Sequence, residues 1–153
     1  MTNDDPPPPQ AKNCSAHVAI ENKSSHLFKF QVLHQYTGEQ VDDSGWHLLK
    51  PNDKKTVMNV NYRVGIWTTG VDNWKVHGLK MIETEDQKGE KIEDKRYFGE
   101  AWRSGTGVAV DWKKHTLRSE DNGETTIVKV FESEVQFTSP SGISTTSFFR
   151  HDQ

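Results

Sequence analysis

The chain has 153 residues with 19 basic and 22 acidic side chains, so its length suits one domain and its formal net charge is only -3. This balance excludes the strong positive field of a nucleic-acid-binding protein. The single cysteine, Cys14, excludes an intramolecular disulfide and favours a reducing compartment.

The first residues form a proline-rich segment. Four consecutive prolines, Pro6 to Pro9, prevent helix formation and remove backbone donors, so we predict a disordered tail over residues 1–14. A ligand for an aromatic groove is the alternative, but Asp4 and Asp5 stand where such motifs usually carry a basic residue. We expect a cytoplasmic protein with no signal peptide and no transmembrane segment, although leaderless secretion is compatible with it.

Strand patterns begin directly after the tail. In "AHVAIEN" and "HLFKFQVLHQY" apolar residues alternate with polar ones at the two-residue period of a half-buried strand. The core face of the second strand is predicted to carry Phe28, Phe30, Val32, His34 and Tyr36. His34 is therefore interpreted as a hydrogen-bonded, partly buried histidine and not as a ligand.

Further strands are separated by turn residues. "TVMNVNYRVGIW" places its even-numbered residues from Met58 on the core face. The charged stretch 83–100 has few apolar anchors and a central Gly89, which favours a long solvated hairpin or loop over a short helix. Strands are predicted again over residues 107–118, 125–131, 134–139 and 144–149. The pattern predicts an all-β fold, a single antiparallel β-sandwich domain over residues 15–150.

The stretch "KKHTLRSEDNGETTIVKV", residues 113–130, gathers His115, Glu120, Asp121 and Glu124 around a turn. We interpret it as a β-hairpin whose turn is the Asn-Gly pair, which tolerates positive φ. A cation site and a catalytic site are the alternatives. "SEDNGE" compresses the spacing of a calcium loop, and this weakens the first alternative.

The sequence offers no recognisable spacing for a metal site, a phosphate loop or an activated nucleophile. None of the seven histidines forms a short ligand pair, so we expect no metal site. Cys14 lies beside the tail without a recognisable base, and "GTG" at 105–107 precedes a strand and not a helix, so it is not a phosphate loop. We expect no cofactor and no catalytic residues, and therefore no enzymatic activity.

Five tryptophans are many for a chain of this length. Each either packs in the core or serves an exposed ligand surface, because the indole combines an apolar ring with one donor. Trp67 and Trp74 flank the turn "TTGVDN", which we expect at an exposed end of the sandwich.

Three segments carry a family resemblance. "TTGVDNWKV" (68–76), "KKHTLRSEDNGETT" (113–126) and "FTSPSGISTT" (137–146), in this order, resemble the up-regulated-in-Daf domain family over about residues 16–149. The resemblance implies a coherent fold, and it implies no activity. More distantly, the first strand, the tryptophans and the mildly acidic sandwich are similar to aegerolysin-like and actinoporin-like lipid-binding folds.

The function expected is a binding module that recognises a lipid or glycan headgroup through turns at one end of the sandwich. The candidate ligand-binding residues are Trp67, Thr69, Asp72, Trp74, His115, Glu120 and Asp121. Near-neutral charge predicts binding that depends little on salt. A protein-interaction module with a stress- or lifespan-associated role is the alternative, and a hydrolase is the third possibility.

Overall fold

The computed structural model describes residues 11–65, 68–85, 89–106 and 111–151. Within these ranges the chain is mostly β-strand, with one 3₁₀ turn at Ser119–Asp121. The strands are β1 (Lys12–Asn22), β2 (Phe28–Tyr36), β3 (Asp42–Asp43), β4 (His47–Leu49), β5 (Lys54–Val64), β6 (Asp72–Thr84), β7 (Glu90–Ile92), β8 (Lys95–Gly105), β9 (Lys113–Lys114), β10 (Thr125–Val130), β11 (Glu134–Ser139) and β12 (Gly142–Arg150). No helix in the described ranges is both long and apolar enough to cross a membrane.

The predicted tail falls mainly on residues 1–10, which lie outside the described residues. Strand β1 begins at Lys12, so the last residues assigned to the tail already pair with β5. Cys14 is a buried free thiol opposite Tyr62 in this pairing.

The alternating patterns predict the core faces correctly. Strand β2 alternates buried and partly exposed residues along its whole length, with all five predicted core residues buried. In β5 the buried residues are Val60 and Tyr62, as the even-numbered pattern predicts. The two-residue period of a strand is thus sufficient to assign which face is covered.

The strands form one hydrogen-bonded sheet in the order β3-β2-β6-β8-β12-β11-β10-β1-β5, with β4 on β2, β7 on β8 and β9 on β6. The sheet curls until it nearly closes into a barrel-like shape around one core. The all-β prediction is confirmed. Most pairs are antiparallel, whereas β1 and β10 run parallel.

The prediction for residues 83–100 agrees with the structure, whereas the prediction for residues 107–118 mostly does not. Residues 83–100 contain the predicted hairpin, in which β7 and the end of β6 both pair with β8. Of the strand predicted over 107–118, only Lys113–Lys114 is strand among the described residues, so the prediction is wrong for 111–112 and for 115–118. Residues 107–110 of that prediction lie outside the described residues.

Candidate functional site

Residues 113–118, here called the cleft segment, cross one end of the sheet beside the start of β6. After the two paired residues of β9, His115 donates its backbone N–H to the backbone oxygen of Asp72 at 3.0 Å. The indole nitrogen of Trp74 donates to the backbone oxygen of His115 at 2.9 Å. Side chains therefore begin to replace the strand ladder at this point.

The rest of the cleft segment is held by buried polar side chains. Leu117 donates its backbone N–H to Asp72 Oδ2 at 2.9 Å, and Arg118 donates its own to Asp121 Oδ2 at 2.7 Å. The hydroxyl of Tyr62 donates to the backbone oxygen of Arg118 at 2.8 Å. Burial raises the pKa of Tyr62, so the hydroxyl keeps the proton that this bond needs. The backbone conformation is thus fixed without strand pairing.

Asp72 also anchors a buried histidine. Its Oδ1 lies 2.6 Å from His34 Nε2, and His34 Nδ1 lies 2.8 Å from Asp42 Oδ2. His34 and Asp72 have no exposed side-chain surface, whereas Asp42 is partly exposed. His34 is hydrogen-bonded at the end of its strand as predicted. The contacts give it a structural role, since a buried polar ring requires partners.

The ring of His115 lies among hydroxyl groups. Its Nδ1 is 2.7 Å from Ser144 Oγ and its Nε2 is 2.8 Å from Ser139 Oγ, which is 2.6 Å from Thr126 Oγ1. Burial lowers the pKa of His115 below its ordinary 6.5, and the carboxylates of Asp121 and Asp72 oppose this only in part. A neutral ring with a serine on each nitrogen has no carboxylate orienting it, unlike the histidine of a Ser-His-Asp triad.

The turn after the cleft segment is not a hairpin. Asn122 has φ -65 and Gly123 φ +77, and Glu124 donates its N–H to the backbone oxygen of Asp121 at 3.0 Å, as in a type II turn. Strand β10 pairs with β1 and β11, so the predicted pairing across this turn is wrong. The physical reason is that side-chain hydrogen bonds from Asp72 and Tyr62 hold the cleft segment, so it does not pair with β10.

The carboxylate of Asp121 connects this turn to the β11–β12 connection. It accepts the N–H of Ser141 at 2.9 Å and its hydroxyl at 2.5 Å, besides the N–H of Arg118. Donors therefore occupy its oxygens. Across the described residues, no group of three or more His, Cys, Asp or Glu side chains could hold a metal ion. The absence of a metal site stays a prediction.

An open cleft of about 390 Å³ lies between the cleft segment and the start of β12. Its lining consists of three cations, three hydroxyl residues and three others: Lys113, Lys114, Arg118, Thr116, Ser141, Ser144, His115, Gly142 and Ile143. This basic cleft has no carboxylate among its described lining residues. Its three cations outnumber the one carboxylate bonded to the lining, that of Asp121, so the cleft can accept an anionic group.

The sequence-predicted site residues fall into three groups. Asp72, Trp74, His115 and Asp121 come together in the buried network just described. Thr69 and Glu120 are exposed, and Trp67 lies outside the described residues. The expected exposure of Trp74 is wrong, because its side chain is 0% exposed and packs 5.8 Å from Phe137, ring centre to ring centre.

Apart from His115, the sequence patterns did not indicate the residues that line the basic cleft. The run "KKHTLR" does place three cations within six positions, which is a detectable signal. It did not indicate that Ser141 and Ser144, far along the chain, face the same cavity. Only the fold supplies that proximity.

A larger cleft of about 540 Å³ lies between the two edges of the sheet, lined by Asn13, Cys14, Tyr36, Glu39, Gln40, Asp42, Asn61, Tyr62 and Arg63. In this edge cleft Arg63 pairs with Glu39 at 3.7 Å, and Tyr36 and Tyr62 are buried. Its lining carries two carboxylates, Glu39 and Asp42, against one guanidinium, Arg63, so it offers no excess of positive charge to an anionic ligand.

Comparison with known proteins agrees with the segments quoted above. Residues 12–101 and 96–148 match the family described as up-regulated in long-lived daf-2. The chain belongs to this family. No curated protein matches the chain. The up-regulated in long-lived daf-2 match confirms the resemblance, and its description assigns no chemistry to either cleft.

Proposed function

We propose that this protein is a non-enzymatic binding module that recognises a lipid or glycan headgroup in the basic cleft. The observation that carries the proposal is the cleft itself, where three cations and several hydroxyls converge without a described carboxylate in the lining. Its volume lies at the lower end of the range usual for small-molecule sites, about 300 to 1,000 Å³. A headgroup is a ligand of suitable size and polarity.

The buried network supports this proposal by fixing the cleft before a ligand arrives. Asp72 and Asp121 bind backbone N–H groups of the cleft segment, and Tyr62 binds its last carbonyl. A site whose backbone is already ordered loses less conformational entropy on binding. The candidate residues Asp72, Trp74 and Asp121 thus act as supports of the ligand site.

The rim of the cleft favours a headgroup at a surface. Ile143 is 63% exposed beside the cations of the lining. An exposed aliphatic residue among cations is the combination that interfacial lipid-binding surfaces use. The cations are concentrated locally, so binding should weaken as salt rises, contrary to the expectation from net charge alone.

Vesicle co-sedimentation and glycan arrays test the proposal. The probes are phosphatidylcholine vesicles alone or with phosphatidylserine, phosphatidic acid or sphingomyelin, and arrays that include anionic glycans. We expect saturable binding to at least one probe, with altered tryptophan emission because Trp112 directly precedes the cleft segment. No binding to any probe would contradict the proposal and would favour the protein-interaction module.

One contact favours a second candidate, the hydrolase. Ser144 Oγ lies 2.7 Å from His115 Nδ1 and faces the basic cleft, which is the geometry of a nucleophile and its base. Turnover on ester or phosphate substrates that disappears in Ser144→Ala would replace the binding module by this candidate. The cytoplasmic location expected from the single cysteine stays a prediction.

A further inference from the structure

The groups that line the basic cleft match one ligand chemistry more closely than others. We infer that the group recognised there is a phosphate. This inference rests on the function proposed above and specifies its ligand.

The charge of the cleft differs from that of the chain. The whole sequence carries a formal charge of -3, yet the described lining contributes Lys113, Lys114 and Arg118 and no acidic residue. None of these three is in the ion pairs formed between side chains of the described part of the chain. Three cations on one short segment repel one another, the Asp121 carboxylate offsets only part of this charge, and an anion in the cleft would offset more. The cleft therefore favours a multiply charged anion.

One hydroxyl in the lining lacks a partner. Thr116 Oγ1 is a buried atom without a hydrogen-bond partner among the described residues. Ser141 already donates its hydroxyl to Asp121, and the Ser144 hydroxyl contacts His115. A buried hydroxyl without a hydrogen-bond partner destabilises the fold, and an anionic oxygen would accept a hydrogen bond from it. Thr116 is a lining residue, and a bound anion would give its hydroxyl the partner that it lacks.

Charge distinguishes phosphate from carboxylate as the occupant of this cleft. A carboxylate carries one charge on two oxygens, whereas a phosphomonoester carries about -1.5 to -2 at neutral pH on three strong acceptor oxygens. Arg118 can bind two of those oxygens through its planar fork, and the lysines can bind as point charges. Three positive charges exceed the single charge of a carboxylate by two, and a phosphomonoester matches them more closely.

The test is a titration of ¹⁵N-labelled full-length protein with inorganic phosphate, followed by amide shifts and compared with sodium chloride at equal ionic strength. We expect saturable shifts at Thr116, Arg118 and Gly142. Arg118→Gln should weaken phosphate binding about tenfold, the value of one charge-assisted bond. Thr116→Val should weaken it while keeping the side-chain shape, and Thr56→Val, an exposed control on β5, should not.

Vesicles distinguish the source of the phosphate. Binding of inorganic phosphate together with phosphatidic acid vesicles, both weakened in Arg118→Gln, supports a lipid phosphate. Binding of phosphate without vesicles supports a soluble phosphorylated ligand. If vesicles or glycans bind but inorganic phosphate produces no saturable shift, the inference is wrong and the binding module stands. If nothing binds, both are wrong. Unchanged melting temperatures of the variants exclude loss of folding as the cause.

Discussion

The indole nitrogen of Trp74 lies 2.9 Å from the backbone oxygen of His115, and this bond joins the core of the sheet to the wall of the basic cleft. Trp74 has no exposed surface, whereas His115 belongs to the cleft lining. Trp74, which the sequence suggests as a ligand contact, therefore holds the wall of the cleft from inside the core and stabilises the folded protein.

Trp74→Phe should destabilise the protein by about 1 to 3 kcal/mol, because it leaves a buried carbonyl without its donor. Some further loss comes from the smaller ring. The measurement is urea unfolding monitored by far-UV circular dichroism. Trp46→Phe is the matched control, since Trp46 is 45% exposed and should change the free energy of unfolding by less than about 0.5 kcal/mol. Equal effects in both variants would contradict the assigned role.

Asp72→Asn should cost about 3 kcal/mol or more, because Asp72 accepts the N–H of Leu117 on one oxygen and faces His34 with the other. An amide offers only one acceptor oxygen for these two positions. The measurement is the melting temperature of Asp72→Asn compared with that of Asp94→Asn. Asp94 is the control because it is an exposed turn residue between β7 and β8. A melting temperature for Asp72→Asn equal to that of the control would show that the contacts contribute nothing.

The pKa of His115 predicts how stability changes with pH. Because burial holds this pKa below 6.5 in the folded protein, the unfolded chain binds the proton more readily. The contribution of His115 to stability is therefore fully present above pH 6.5 and is lost as the pH falls from there through the lowered folded pKa. Unfolding free energies measured across this window should fall less steeply for His115→Gln than for the wild type. An identical slope would contradict the prediction.

Gly78 in β6 lies against an aromatic cluster. A Cβ placed there would lie 2.9 Å from Phe148 Cζ and 3.2 Å from Phe28 Cδ1. The two rings pack at 5.8 Å between their centres, so neither can move without disturbing the other. Gly78→Ala should cost about 1 to 3 kcal/mol through overpacking, measured by chemical denaturation. A neutral or stabilising result would show that the cluster can rearrange.

Local patterns predict much of the sheet. The faces of β2 and β5 follow from alternation, because a strand with one covered side must repeat every two residues. The parallel pairing of β1 with β10 does not follow, since pairing partners far apart in sequence leave no local signal. Prediction of the hairpin at Asn122 failed for the same reason. Asp72 and Tyr62, both distant in sequence, fix the segment before it.

The candidate site is predictable only in part. Sequence reasoning selected Asp72, His115 and Asp121, which the fold does bring together, but it assigned them to ligand contact. Polar residues gathered around a turn attract a functional interpretation, although buried backbone groups need such partners just as much. In the sequence the cations of the lining look like an ordinary solvated strand end. The fold shows that they share a cleft with Ser141 and Ser144.

The affinity of Arg118→Gln for phosphatidic acid vesicles, measured beside Arg63→Gln, tests most directly whether the basic cleft is the binding site. Both arginines are exposed, but Arg118 lines the basic cleft and Arg63 lines the edge cleft. We predict about tenfold weaker binding for Arg118→Gln and unchanged binding for Arg63→Gln, with equal melting temperatures. Equal weakening in both variants, or weakening in Arg63→Gln alone, would contradict the assignment of the ligand to the basic cleft.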